Sequence, residues 1–136
     1  MKIDLGKNEL IHFVGIGGIG MSGLALIMNG LGYKVQGSDI ANNRNIERLN
    51  ENKIRVFLNH KKENIKKTTL LVISSAIKKN NPELVEAIKK NLPVYTRGDM
   101  LGHIVSFMRN AVVTGSHGKT TTTSLVASIF TAGNLD

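Results

Sequence analysis

The chain has no cysteine and no tryptophan, and among its 136 residues only two are proline. Without cysteine there is neither a disulfide framework nor a thiolate metal site, which removes the small secreted scaffolds and the zinc-ribbon class. Four Phe and two Tyr are too few to form an aromatic platform for single-stranded nucleic acid. No apolar run reaches the roughly 18 residues of a membrane span. The opening Met1-Lys2-Ile3-Asp4-Leu5-Gly6 lacks the apolar segment and small-residue cleavage site of a signal peptide. A cytoplasmic setting is expected, with no membrane and no nucleic acid as partner.

What is there describes a soluble domain: 41% hydrophobic and 21% charged residues, with a net charge of +8. Nucleic acid and anionic substrates are the usual partners of such a charge. Here the cations fall in scattered pairs (Lys61-Lys62, Lys66-Lys67, Lys78-Lys79, Lys89-Lys90), as solvated faces carry them. At this length the chain can bury one sizeable core. Oligomeric state is not readable.

Apolar runs alternate with helical patterns. Strands are expected at Leu10–Val14, Tyr33–Asp39, Ile54–Phe57, Thr69–Ile73, Pro93–Thr96 and Ala111–Thr114. Helices are expected at Gly18–Leu31, Asn43–Asn52, from Asn81 to Asn91, at Arg97–Phe107, and after Gly115, with Asn59–Asn64 as a polar loop. Asn81 followed by Pro82 is an N-cap with proline at the first helical position. Strand–helix alternation predicts an α/β fold, a Rossmann-like parallel sheet with right-handed crossovers and helices on both faces. The one natural boundary falls near Met108-Arg109-Asn110.

Two glycine-rich turns carry chemistry. Gly15, Gly17 and Gly20 fit G-x-G-x-x-G between a strand and a helix, the turn that lets backbone N–H groups and the helix dipole meet a diphosphate. Asp39 ends the second strand, 19 residues beyond Gly20, where an acid reaches ribose hydroxyls. NAD fits this pattern, and so does a UDP-sugar, since both present a ribose and a diphosphate. The second turn is Gly115-Ser116-His117-Gly118-Lys119-Thr120-Thr121 after Ala111–Thr114. It is a shortened P-loop: backbone N–H groups wrap a triphosphate, Lys119 reaches the β- and γ-phosphates, and the Thr120 hydroxyl ligates Mg²⁺. His117 fits a structural or nucleotide-edge role better than catalysis.

A diphosphate turn followed by a shortened P-loop is a rare pairing, and these residues resemble the Mur ligase family. The segments His12–Gly23, Gly37-Ser38-Asp39, Ser74-Ser75-Ala76-Ile77, Arg97–Leu101 and Val112–Thr121 are similar to the family's in the expected order. The resemblance implies ATP-dependent amide-bond formation in peptidoglycan precursor synthesis, with UDP-N-acetylmuramate as the acid, L-alanine as the amine, and an acyl-phosphate between them. It implies a UDP-sugar site from Gly15, Gly17, Gly18, Ile19, Gly20 and Met21 at the pyrophosphate, with Ser38 and Asp39 at the uridine. His60 and the turn Ser74-Ser75-Ala76 are further candidates for that pocket. Lys119 would be the catalytic residue, stabilising charge on the transferred phosphoryl group. Residues 1–108 would be the UDP-sugar domain and 109–136 the start of a truncated ATP-binding domain, unable to ligate alone. A stand-alone NAD(P)-binding module and the family's peptide-recycling ligase are the alternatives.

Overall fold

A computed structural model of the chain describes residues 5–114, with side chains through Ser106. Five parallel strands form one sheet: β1 (Leu10–Val14), β2 (Lys34–Ser38), β3 (Arg55–Phe57), β4 (Leu70–Ile73) and β5 (Val94–Thr96), in the order β3-β2-β1-β4-β5. Helices α1 (Ile19–Gly30), α2 (Arg44–Glu51) and α3 (Pro82–Lys89) and a 3₁₀ turn at Lys62–Ile65 lie in the connections between strands, and α4 (Arg97–Thr114) follows β5. This is the expected α/β sheet with helices on both faces.

The central position of β1 follows from its residues. Leu-Ile-His-Phe-Val is buried from Ile11 to Val14 on both faces, and β-branched and aromatic side chains suit a pleated surface. Its register pairs Phe13 with Gly37 on β2 and with Val72 on β4. Alternation then sorts the strands into two faces. Ile11, Phe13, Val35, Leu70 and Val72 pack with Met21, Leu24 and Met28 of α1, Ile46 and Leu49 of α2, and Met100 and Ile104 of α4. Burying each such side chain contributes about 1.5–3 kcal/mol. The opposite face has a smaller apolar cluster of Val14, Ile65, Leu71 and Ala87.

Local signals start the helices. Asn43 Oδ1 accepts from the Ile46 N–H at 3.0 Å, and Asn81 Oδ1 accepts from the Glu83 N–H at 2.9 Å, with Pro82 in the first turn. Thr96 and Asp99 cap α4 reciprocally, each side chain accepting from the other's N–H at 3.1 and 3.0 Å. The polar loop expected at Asn59–Asn64 tightens into the 3₁₀ turn because Ile65 and Asn64 are drawn under the sheet.

One expectation fails. Ala111–Thr114 is not a strand; α4 continues through Met108-Arg109-Asn110 to Thr114. No glycine or proline interrupts the chain between Gly102 and Gly115, and among the described residues no strand pairs with 111–114, so the local helical continuation prevails. The helix expected after Gly115, with the whole P-loop Gly115–Thr121, lies outside the described residues.

Candidate functional site

The strand order reverses direction between β1 and β4, and open parallel sheets bind ligands at the carboxyl ends of their strands at such a point. A cleft of about 530 Å³ opens there, bounded by Gly15 and Gly18 after β1, Asp39 after β2, His60, and Ser74 and Ala76 after β4. Six residues scattered from 15 to 76 in the sequence therefore meet around one cavity. Ser74 also borders a smaller neighbouring cleft of about 250 Å³ with Ser75 and Thr96.

The glycine turn is held from below. Its Gly15 and Ile16 N–H groups both donate to the Ser38 carbonyl, at 2.9 and 3.0 Å. Gly15 has φ +83°, which disfavours any other residue. A Cβ on Gly37 would lie 2.7 Å from both Ile16 Cβ and the Phe13 carbonyl oxygen, so a bare backbone on β2 is what lets Ile16 fold over it. Gly17 is glycine for a similar reason. Its N–H donates to Asp39 Oδ2 at 2.8 Å, and an added Cβ would meet that same oxygen at 2.8 Å and Ile46 Cδ1 at 3.0 Å. Asp39 Oδ1 accepts from the Ile40 N–H at 2.8 Å. The carboxylate thus ties the first turn to the end of β2.

These bonds leave a defined set of donors. The first i→i−4 bond of α1 runs from the Ser22 N–H to the Gly18 carbonyl at 2.8 Å. Ile19, Gly20 and Met21 precede it, and the Gly18 cap contributes no side chain. Three backbone N–H groups at the positive end of a twelve-residue helix are available to an anion. Lys78 and Asn80 also line the cleft. Spacing rules do not find these two, since Lys78 reads as one of the scattered surface pairs.

Beneath the floor is a buried polar network that the sequence reading also missed. Glu83, fully buried at the start of α3, accepts from His12 Nε2 at 2.9 Å and from the Ser38 hydroxyl at 2.5 Å on one oxygen, and from Asn64 Nδ2 at 2.6 Å on the other. Gln36 Nε2 lies 2.8 Å from the Asn64 carbonyl, which only accepts, so that side of the amide is its NH₂. The same NH₂ faces His12 Nδ1 at 2.9 Å, which places the ring proton on Nε2, toward Glu83. Burial would raise the Glu83 carboxyl. The hydrogen bond from His12, with the bonds from Ser38 and Asn64, outweighs it and holds the group below its ordinary value. Ser38 Oγ also reaches His60 Nδ1 at 3.0 Å, joining the network to the cleft wall. The signal was present in part: His12, Gln36 and Ser38 alternate with apolar residues in strands buried on both sides.

A family model described as "Mur ligase family, catalytic domain" matches residues 10–109. The chain belongs to the Mur ligase family. Over its whole length this family member is 66% identical to a UDP-N-acetylmuramate–L-alanine ligase of Pelagibacter ubique, of which it spans 29%. Among solved structures, a UDP-N-acetylmuramate–alanine ligase from Thermotoga maritima superposes with a TM-score of 0.70 at 34% identity, covering 72% of this chain and 23% of that one. A UDP-N-acetylmuramate:L-alanyl-γ-D-glutamyl-meso-diaminopimelate ligase from Neisseria meningitides gives 0.60 at 28%, covering 65% and 28%. No helix among the described residues of this Mur ligase chain is long and apolar enough to cross a membrane.

Proposed function

We propose that the chain contributes the UDP-sugar-binding domain and the P-loop of an ATP-dependent ligase that joins L-alanine to UDP-N-acetylmuramate. Residues 1–108 form the nucleotide-sugar domain in this reading, and 109–136 begin the ATP-binding domain. The observation that carries it is the N-terminus of α1, without a side-chain cap, whose N-cap glycine Gly18 lies on the wall of the cleft at the switch point of the sheet.

The diphosphate lies against the Ile19, Gly20 and Met21 N–H groups, with Lys78 supplying charge from the cleft lining. The nucleoside extends toward Ser38, Asp39 and His60 at the ends of β2 and β3, and the Ser74-Ser75-Ala76 turn closes the remaining side. Asp39 acts first by holding Gly17, which sets the height of the turn under the phosphates. The donor set of Gly115, Ser116, His117, Gly118, Lys119, Thr120 and Thr121 suits a nucleoside triphosphate with Mg²⁺. Backbone N–H groups and the Lys119 ammonium meet the phosphates, and the Thr120 hydroxyl is a hard oxygen ligand. ATP supplies the phosphoryl group that turns the substrate carboxylate into a leaving group for the amine. The chain spans 29% of its Pelagibacter ubique relative; in this reading the amino-acid site belongs to the remaining length, this chain alone binds without ligating, and the setting is the cytoplasm.

The test is a comparison of ligands on the 136-residue chain. UDP-N-acetylmuramate should raise the melting temperature and titrate in calorimetry, and NAD should do neither. A larger effect from NAD would replace this reading with a dinucleotide module. ADP release dependent on L-alanine from this chain alone would overturn the division of labour.

A further inference from the structure

The hydrogen-bond chain under the cleft has a direction. A carboxylate oxygen only accepts, so the Ser38 hydroxyl at 2.5 Å from Glu83 Oε1 commits its single proton there. What Ser38 Oγ then offers His60 Nδ1, at 3.0 Å, is a lone pair, and Nδ1 must carry a proton to use it. Glu83 is held in place by His12 and Asn64 and cannot turn to take a different partner. In the uncharged ring this leaves Nε2, on the side away from Ser38, as a bare acceptor, and His60 lines the cleft. At the diphosphate end recognition is by donors, the α1 first turn and Lys78, while Asp39 and His60 are the acceptors on the lining toward β2. Donors read phosphates, while an acceptor reads a hydroxyl or an N–H.

We propose that Ser38 and Glu83 are positioning residues that lock His60 with its proton on Nδ1, so that Nε2 accepts a hydrogen bond from a donor on the nucleoside end of the ligand. That donor is a ribose hydroxyl or the imide N–H of uracil. The ligand half of the inference rests on the UDP-sugar reading above; the tautomer half stands on the ligand-free geometry. Ser38 ends β2, one strand away from the glycine turn that takes the diphosphate, which is why the acceptor is assigned to the nucleoside.

Nitrogen-15 spectra of the histidine rings in the full chain read the tautomer directly, with His60→Gln identifying the His60 signals. His60 should carry its proton on Nδ1, and Ser38→Ala should move it wholly or partly to Nε2. An Nε2–H ring in the unsubstituted chain, or an unchanged tautomer in Ser38→Ala, overturns the positioning role. Calorimetry with UDP-N-acetylmuramate should show roughly three- to tenfold weaker binding by Ser38→Ala, the loss of one well-placed hydrogen bond. Equal affinity would overturn the link from tautomer to ligand. UDP analogues lacking the 2′-hydroxyl, the 3′-hydroxyl or the imide N–H then separate the donors: the analogue missing the right one binds both proteins alike. Sensitivity retained by all three overturns the nucleoside assignment. If the unsubstituted chain takes no UDP-N-acetylmuramate at all, the UDP-sugar reading fails and the ligand half falls with it, while the spectra still decide the lock.

Discussion

The two faces of the sheet are built from the same strands and obey different physics. On one, alternate residues such as Ile11, Phe13, Val35 and Val72 meet three helices in an apolar core. On the other, the intervening His12, Gln36 and Ser38 meet Glu83 and Asn64 in a hydrogen-bonded network beside a small apolar cluster. Apolar burial stabilises wherever it occurs, and it tolerates imprecise partners. A buried carboxylate costs free energy unless every acceptor site is met, and then it holds its neighbours in one arrangement. The stabilising face is the one away from Glu83; the network, reaching His60 through Ser38, abuts the cleft.

The largest effect belongs to the apolar face. Phe13→Ala removes a fully buried ring from the middle of the central strand, and should cost about 3–5 kcal/mol by urea denaturation. A loss below about 1 kcal/mol would mean that the core collapses around the gap and that this face is not what holds the fold.

Next comes Glu83→Gln. Either orientation of the new amide aims its NH₂ at a donor: at Asn64, or at His12 and Ser38. The expected cost is about 1–3 kcal/mol. The pH dependence carries the sharper signature. The folded carboxyl titrates below the ordinary glutamate value of about 4.3, so the unfolded chain takes up the proton first as pH falls. Its stability contribution is present above that value and is lost as pH drops through the folded one. Glu83→Gln should flatten this part of the curve. His103 on α4, lowered by burial, is protonated first in the unfolded chain too, and its loss begins nearer 6.5, above the carboxylate window. An unchanged acid limb in Glu83→Gln would remove the charged network from the account.

Asp39→Ala should have a smaller effect on stability, about 1 kcal/mol, because it leaves the Gly17 and Ile40 N–H groups without their acceptor at a partly solvated site. It also slackens the glycine turn, so UDP-N-acetylmuramate affinity should fall whether or not Asp39 touches the ligand. Stability unchanged with affinity reduced would restore a purely ligand-contacting role. Read from spacing alone, Asp39 is a ribose acid; the structure adds that it braces the loop.

That contrast marks how far the residues could be read in order. The apolar face was legible because its information is periodic: strand bounds, the Asn81-Pro82 helix start and the G-x-G-x-x-G turn are all local. Asp39 and the Ser74 turn were readable as neighbours through the family's segment order, with His60 a further candidate outside those segments. Glu83 was not. An acid in the first turn of a helix already has a sufficient reason there in the helix dipole, and its true partner His12 is 71 residues away across the sheet. Ala111–Thr114 failed for the converse reason, since a β-branched pair reads as a strand only if a neighbouring strand exists to pair with it.

The smallest structural effect should come from Lys78→Ala. Lys78 is exposed on the cleft rim, and its truncation should change stability by no more than about 0.5 kcal/mol. Its effect on binding separates the diphosphate end of the cleft from the nucleoside end. A cation facing the phosphates through solvent contributes an interaction that salt screens, so the affinity ratio between the unsubstituted chain and Lys78→Ala should narrow as ionic strength rises from about 0.01 to 0.15 M. The Ser38→Ala ratio should stay constant over the same range, because the hydrogen bond it disturbs involves no ionic partner on the ligand. Equal salt dependence of the two ratios would place both residues against the same part of the ligand and collapse the distinction between a donor-lined phosphate end and an acceptor set by the buried network.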